Sequence, residues 1–203
     1  MSDFLVPAAM VQTEQVIKKS RFITFIAHAP DSGSSHSFIS RVRAEYPDAG
    51  HVCWAFIAGE PGNTTAISCS DDGEPAGTAG KPMLNVLQHS NVGEIVAVVV
   101  RYFGGIKLGT GGLVRAYSAG VTELMKELPT CLKVESVAME LVLPYALEDA
   151  VRRTLENTGV VISDVNYQET ISMSCDCPAD RLTTLSQQLN DAGRGQIKIL
   201  AET

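Results

Sequence analysis

Residues Ile95 to Val100 read Ile-Val-Ala-Val-Val-Val, an unbroken apolar run. Side chains on a strand alternate between its two faces. A run that is apolar at every position is therefore stable only where both faces are covered. It is far too short to cross a bilayer, which takes about 20 apolar residues as a helix. The chain must build layers on both sides of one central strand. Glycine-dense segments flank that strand. Before it come Asp71, Asp72 and Glu74, then Gly77-Thr78-Ala79-Gly80-Lys81-Pro82. After it come Arg101-Tyr102-Phe103-Gly104-Gly105, Lys107, Gly109-Thr110-Gly111-Gly112 and Arg115. Glycine loses more backbone freedom on folding than any other residue, so this density marks tight turns or a backbone that approaches a ligand.

Other segments give an α+β element order. Val11 to Ala29 reads as two strands joined at Lys18-Lys19-Ser20. Phe38, Ile39, Val42 and Tyr46 recur at helical spacing, closed by Pro47. His51–Ala58 and Ala66–Cys69 read as strands, Pro82 as the first residue of a helix, and Leu113 to Leu128 as a long helix. Pro129 to Ser136 is a boundary, giving domains over 1–132 and 136–203. The second domain runs strand, helix, strand, strand, helix, strand, the ferredoxin-like βαββαβ order. Its helices carry Leu147, Val151 and Leu155, then Leu182, Leu185 and Leu189. Ile171, Met173, Cys175 and Cys177 alternate on one strand. The hairpin near Gln168–Thr170 lacks Gly, Asn or Pro.

With 203 residues, 45% of them hydrophobic, the chain can form one large or two small cores. The net charge is −7. Residues 1–135 hold 11 Lys and Arg against 13 Asp and Glu, whereas residues 136–203 hold 5 against 10. Any nucleic-acid site must then be a local basic patch in the N-terminal part. The five cysteines have neither disulfide-framework nor zinc spacing, which favours buried reduced thiols. Neither a signal peptide nor a membrane segment is visible, and a cytoplasmic protein is expected.

Both glycine loops lead into helices, where free N–H groups and the helix dipole suit an anion. The first is not a P-loop, because Pro75 and Pro82 stand where that motif needs Gly and Ser or Thr. The second does not fit the dinucleotide fingerprint, because Val114 falls at its last glycine. Arg101, Lys107 and Arg115 interleaved with Tyr102 and Phe103 suit phosphate clamping and base stacking. The candidate anion- or nucleic-acid-binding set is Lys19, Arg21, Gly77, Thr78, Gly80, Lys81, Arg101, Gly104, Gly105, Lys107, Gly109, Gly111, Gly112 and Arg115. Catalytic candidates are Asp71, Asp72, Glu74 and His51. The three carboxylates could hold Mg²⁺ beside a substrate phosphate, or form a solvated or ion-paired turn. His51 and Cys53 share a strand face, as a nucleophile and base would, but no third group orients them and a packed pair is preferred. No metal site or cofactor is assigned.

Four segments carry a family resemblance: Lys19-Ser20-Arg21-Phe22; His51 with Cys53-Trp54-Ala55; Ser70 through Pro82; and Val99 through Tyr117. The sequence resembles the IMPACT family, in its bacterial branch, over nearly the whole chain. The resemblance implies an N-terminal domain like the second domain of a small-subunit ribosomal protein, with a left-handed βαβ crossover. It implies a C-terminal domain similar to domain five of elongation factor G. The expected function is RNA or ribosome binding in translation or its regulation. The alternatives are an enzyme acting on a small phosphorylated or carboxylated substrate, and a module that meets a protein partner through its acidic second domain.

Overall fold

The computed structural model describes residues 3–62, 65–134 and 136–201. The chain forms two compact units, the first over residues 3–133 and the second from Val134 onward.

The first unit contains, in order, β1 (Phe4–Pro7), β2 (Val11–Ile17), β3 (Ser20–His28), α1 (Ser32–Glu45), β4 (His51–Ile57), β5 (Ile67–Ser70), α2 (Gly80–Gln88), β6 (Ile95–Tyr102), α3 (Thr110–Glu127) and β7 (Thr130–Lys133). Five of its strands form an antiparallel sheet in the order β2-β3-β6-β4-β5. The apolar run lies on β6 at the centre, and none of Ile95 to Val100 is more than 1% exposed. Ile95, Ala97 and Val99 pack with Met83, Leu87, Tyr117 and Val121 of α2 and α3. Val96, Val98 and Val100 pack with Phe38, Ile39 and Val42 of α1 on the other face. Both faces are covered, as an all-apolar strand requires. Burying each valine or isoleucine of this strand contributes about 1.5–3 kcal/mol.

The connectivity fixes a matter of handedness. β3 and β4 run parallel on either side of β6, joined by α1 on one face. β5 and β6 run parallel on either side of β4, joined by α2 on the opposite face. Half a turn about the sheet normal matches the two crossovers in strand direction and displacement, yet leaves their helices on opposite faces. They therefore have opposite hands, and one is left-handed, against the usual rule. This pairing is what covers β6 from both sides.

Two details depart from the sequence reading. Helix α2 begins at Gly80, so Pro82 is its third residue rather than its first. Proline is tolerated there because the first four N–H groups of a helix have no partner within it. The residues before the boundary also form a strand, β7, which pairs antiparallel with β1. All four β7 residues are exposed, so no apolar alternation announces it. Glu94, buried beneath, accepts hydrogen bonds from Lys133 of β7 and from His28 Nε2 of β3 at 2.8 Å.

The second unit runs β8 (Ser136–Leu143), α4 (Glu148–Thr158), β9 (Val161–Tyr167), β10 (Ile171–Pro178), α5 (Leu182–Gly193) and β11 (Lys198–Ala201). Its antiparallel sheet has the order β11-β8-β10-β9, the ferredoxin-like arrangement. Leu141, Leu143, Met173, Cys175 and Cys177 pack against Val151, Leu155, Leu185 and Leu189. Gly159 stops α4 in the left-handed conformation at φ 70°, where a side chain is disfavoured. The glycine-free hairpin closes with the Gln168 N–H donating to the Thr170 carbonyl at 3.0 Å, while the Tyr145 hydroxyl donates to the Gln168 carbonyl at 2.8 Å. All five cysteines are free; Cys131 is exposed, in contrast to the expected burial of the thiols. Among the described residues no helix is long and apolar enough to cross a membrane.

Candidate functional site

Strand register gathers the sequence motifs at one end of the five-stranded sheet. Near its C-terminal end β6 places Arg101 opposite His51, the first residue of β4, and Tyr102 opposite Arg21 near the start of β3. β5 ends at Ser70, opposite Trp54. The β2–β3 turn, the acidic turn after β5 and the glycine loop after β6 therefore share this end. Helices α2 and α3 both begin here.

A buried polar network underlies the surface. The Glu74 carboxylate accepts from Arg101 Nη1 at 2.5 Å and from the Tyr117 hydroxyl at 2.7 Å, with all three residues buried. Arg101 Nη2 also donates to Ser20 Oγ at 3.4 Å, and the Gly104 N–H donates to the same oxygen at 3.2 Å. One buried residue pair thus ties the acidic turn to the hairpin turn and to the glycine loop. His51 Nε2 stands 3.9 Å from the second Glu74 oxygen, and its Nδ1–H donates to the Asp72 carbonyl at 2.8 Å. Cys53 donates to the Asp71 carbonyl at 3.0 Å and faces the Tyr117 hydroxyl at 3.4 Å. Burial pushes the Cys53 thiol up to about 12; the Tyr117 hydrogen bond opposes this and the charge on Glu74 adds to it. Burial also drives the Tyr117 phenol up. Both groups stay protonated and act as donors, so Cys53 is no thiolate nucleophile at neutral pH.

The three acidic residues face three different partners. Asp71 accepts from the N–H groups of Gly77 at 2.7 Å, Ala79 at 2.9 Å and Gly80 at 2.8 Å. Its carboxyl is raised by burial, but those three backbone bonds outweigh the burial and hold it below the usual range. The helix-start amides that suit an external anion are occupied by this side chain of the same chain. Asp72 accepts from the Val52 N–H at 2.7 Å and from Arg43 at 2.9 Å, while Glu74 faces Arg101. Among the described residues no three His, Cys, Asp or Glu side chains converge as metal ligands. Thr78 turns its hydroxyl to the Pro75 carbonyl at 2.6 Å. Gly80 sits where a Cβ would fall 2.8 Å from the Ser70 backbone, so this loop is packed against its own sheet.

The cations divide between buried, diverted and exposed. Arg101 lies in the interior with Glu74. Arg21 projects to the opposite face of the sheet, where it makes two hydrogen bonds to Glu14, at 2.7 and 2.8 Å, and lies over the Tyr102 ring. Lys81, Lys107 and Arg115 are exposed, and Arg115 Nε donates to the Gly111 carbonyl at 3.2 Å. Lys18 and Lys19 form the β2–β3 turn, both at positive φ, 46° and 65°. Lysine is a poor residue for such a turn, which favours Asn-Gly. Gly104 packs onto this turn so closely that a Cβ would fall 2.0 Å from the Lys19 carbonyl. Gly105 and Gly109 take positive φ in the loop that follows, and Gly111 and Gly112 open α3. Phe103, beside Gly104, is 55% exposed, with the Arg101 guanidinium 5.7 Å from its ring. Among the described residues Lys18, Lys19, Lys81 and Lys107 have no ion-pair partner.

Sequence reasoning offered Phe103 for base stacking but did not include Lys18, Ser20 or Tyr117 in the site. Lys18 adjoins a selected residue, and the turn at Lys18-Lys19 is the available signal. Tyr117 reads as one more residue of an apolar helix face, and nothing local reveals that its hydroxyl meets Glu74.

Fold and site together define a two-domain α+β protein, whose first domain presents a cationic, glycine-lined sheet end built over a buried Glu–Arg pair. Residues 18–125 match the Impact N-terminal domain, and residues 141–196 match a domain of unknown function, DUF1949. The chain belongs to the IMPACT family. It is 44% identical over 201 residues to the IMPACT family member YigZ of Escherichia coli, covering 99% of this chain and 98% of that protein. It is 32% identical over 186 residues to the family member YvyE of Bacillus subtilis, covering 92% and 85% respectively. A crystal structure of a hypothetical protein, 44% identical, matches with a TM-score of 0.76 and covers 100% of this chain and 98% of that one.

Proposed function

We propose that this is a cytoplasmic RNA- or ribosome-binding protein acting in translation or its regulation, with the end of the five-stranded sheet as its nucleic-acid face. The observation that carries this reading is the exposed Phe103 ring at the sheet end that also carries Lys18, Lys19, Lys81 and Lys107, which have no ion-pair partner among the described residues, on a chain whose net charge is −7. Lys18, Lys19, Lys81, Lys107 and Arg115 meet phosphates, and Phe103 stacks on a base, the combination that suits unpaired nucleic acid. The buried Glu74–Arg101 pair acts as scaffold, holding hairpin turn and glycine loop together. An enzyme acting on a small phosphorylated or carboxylated substrate has less support, because Asp71, Asp72 and Glu74 are each engaged by the chain itself.

The test is a titration of fluorescent single-stranded RNA, and separately of ribosomes, at several salt concentrations. Affinity is expected to fall steeply with salt. Charge reversal of Lys18, Lys19 and Lys107 is expected to flatten the log–log slope by roughly 0.7 for each phosphate that is no longer neutralised. Absence of binding to both RNA and ribosomes at low salt would end this reading.

A further inference from the structure

A groove of about 950 Å³ runs between α2 and α3, on the face of the sheet that these helices cover, and is open to solvent along one side. Its walls are stripes at helical spacing. α2 contributes Pro82 and Val86, α3 contributes Val114 and Met125 with Ser118 and Thr122 between them, and Leu5 and Leu128 close one end. Apolar atoms dominate the lining. Between Val114 and Lys126 the α3 wall extends for about 18 Å at the helical rise of 1.5 Å per residue. That length accommodates about three turns of another helix.

The charged residues that line the groove are of one sign. Lys81, His89 and Lys126 line it, and no Asp or Glu does. This is notable in a chain with 23 acidic residues against 16 basic ones. Lys81 begins α2 and Lys126 lies in the last turn of α3, so the two ammonium groups belong to opposite ends of the trough. Lys126 is paired with Glu123 at 2.9 Å, but both side chains are mostly exposed. Such a pair is worth little and exchanges readily for a better partner.

The geometry points to a second interaction surface: the α2–α3 groove takes an amphipathic helix of a protein partner, its apolar stripe on Val86 and Val114 and its acidic ends on Lys81 and Lys126. An open trough of helical length, with an apolar floor and cationic ends, matches the helix-in-groove mode of recognition. A compact small ligand would leave most of the trough exposed. The apolar residues of the groove lie outside the nucleic-acid surface, and Lys81 alone among its basic residues belongs to both.

The test is selection on the full chain with a displayed library of random peptides long enough for about four helical turns. Enriched peptides are expected to carry apolar residues at i, i+4 and i+7 with Asp or Glu near both ends. Val114→Glu should weaken them by roughly tenfold or more, the cost of placing a charge on an apolar floor. Lys126→Glu, at an exposed position where the change costs the fold little, should weaken them by about threefold and shift the preference toward basic ends. Lys107→Glu should leave them unchanged. The proposal is overturned if no peptide family is enriched, if enriched peptides bind Val114→Glu as well as the parent, or if sedimentation shows a second copy of the chain covering the groove.

Discussion

At the scale of single residues, the network beneath the site makes sharp demands. Glu74→Ala leaves the Arg101 guanidinium buried without its carboxylate and is expected to cost about 3 kcal/mol in chemical denaturation. Tyr117→Phe removes one hydrogen bond to that carboxylate, and should cost about 1.5 kcal/mol. Asp71 contributes to the acid limb. Its carboxyl is held low in the folded state, so its stabilising contribution is present above the unfolded carboxylate range near pH 4. It is lost as pH falls through the lower folded value. Asp71→Asn should therefore flatten the acid limb of a stability–pH profile. Cys53 shows the opposite sign. Its thiol ionises near pH 8.5 when unfolded and near 12 when folded, so its contribution is present below about pH 8.5 and is lost as pH rises through about 12. In thiol titration at pH 8, exposed Cys131 should react rapidly and Cys53 only as fast as the fold opens.

At the scale of elements, the β2–β3 turn is the informative unit. Its two lysines hold a left-handed conformation that costs each of them about 1–2 kcal/mol. Replacing Lys18-Lys19 by Asn-Gly should raise stability by about 1 kcal/mol and weaken RNA binding, so that stability and function move in opposite directions. A calorimetric scan paired with an RNA titration distinguishes this from simple damage to the fold. Gly104→Ala drives a Cβ into the Lys19 backbone and should cost about 1–3 kcal/mol by overpacking. It should also weaken RNA binding, through the displaced turn. Most elements were legible from local pattern: the apolar run of β6, the helical spacing on α1 and α3, and the alternation on β10. β1 and β7 were not, because four residues are too few to show a period, β7 is exposed throughout, and the two strands pair with each other.

At the scale of the whole molecule, each unit has its own buried core. Residues 134–203 expressed alone should fold, with native-like dispersion in an NMR spectrum, because Leu141, Leu155, Met173 and Leu185 make their core entirely within that unit. Local chemistry was enough to specify element types, the doubly covered central strand and the ferredoxin-like order, since propensity and periodicity act over a few residues. Long-range pairing settled the rest. Asp71 caps the loop that follows it, Glu74 reaches Arg101 across 27 residues, and Arg21 is drawn to Glu14 on the far face. The opposed crossover hands likewise exist only once α1 and α2 have taken opposite sides of one sheet. A carboxylate's partner depends on which backbone amides and guanidinium groups folding brings within 3 Å, and no spacing along the chain encodes that distance.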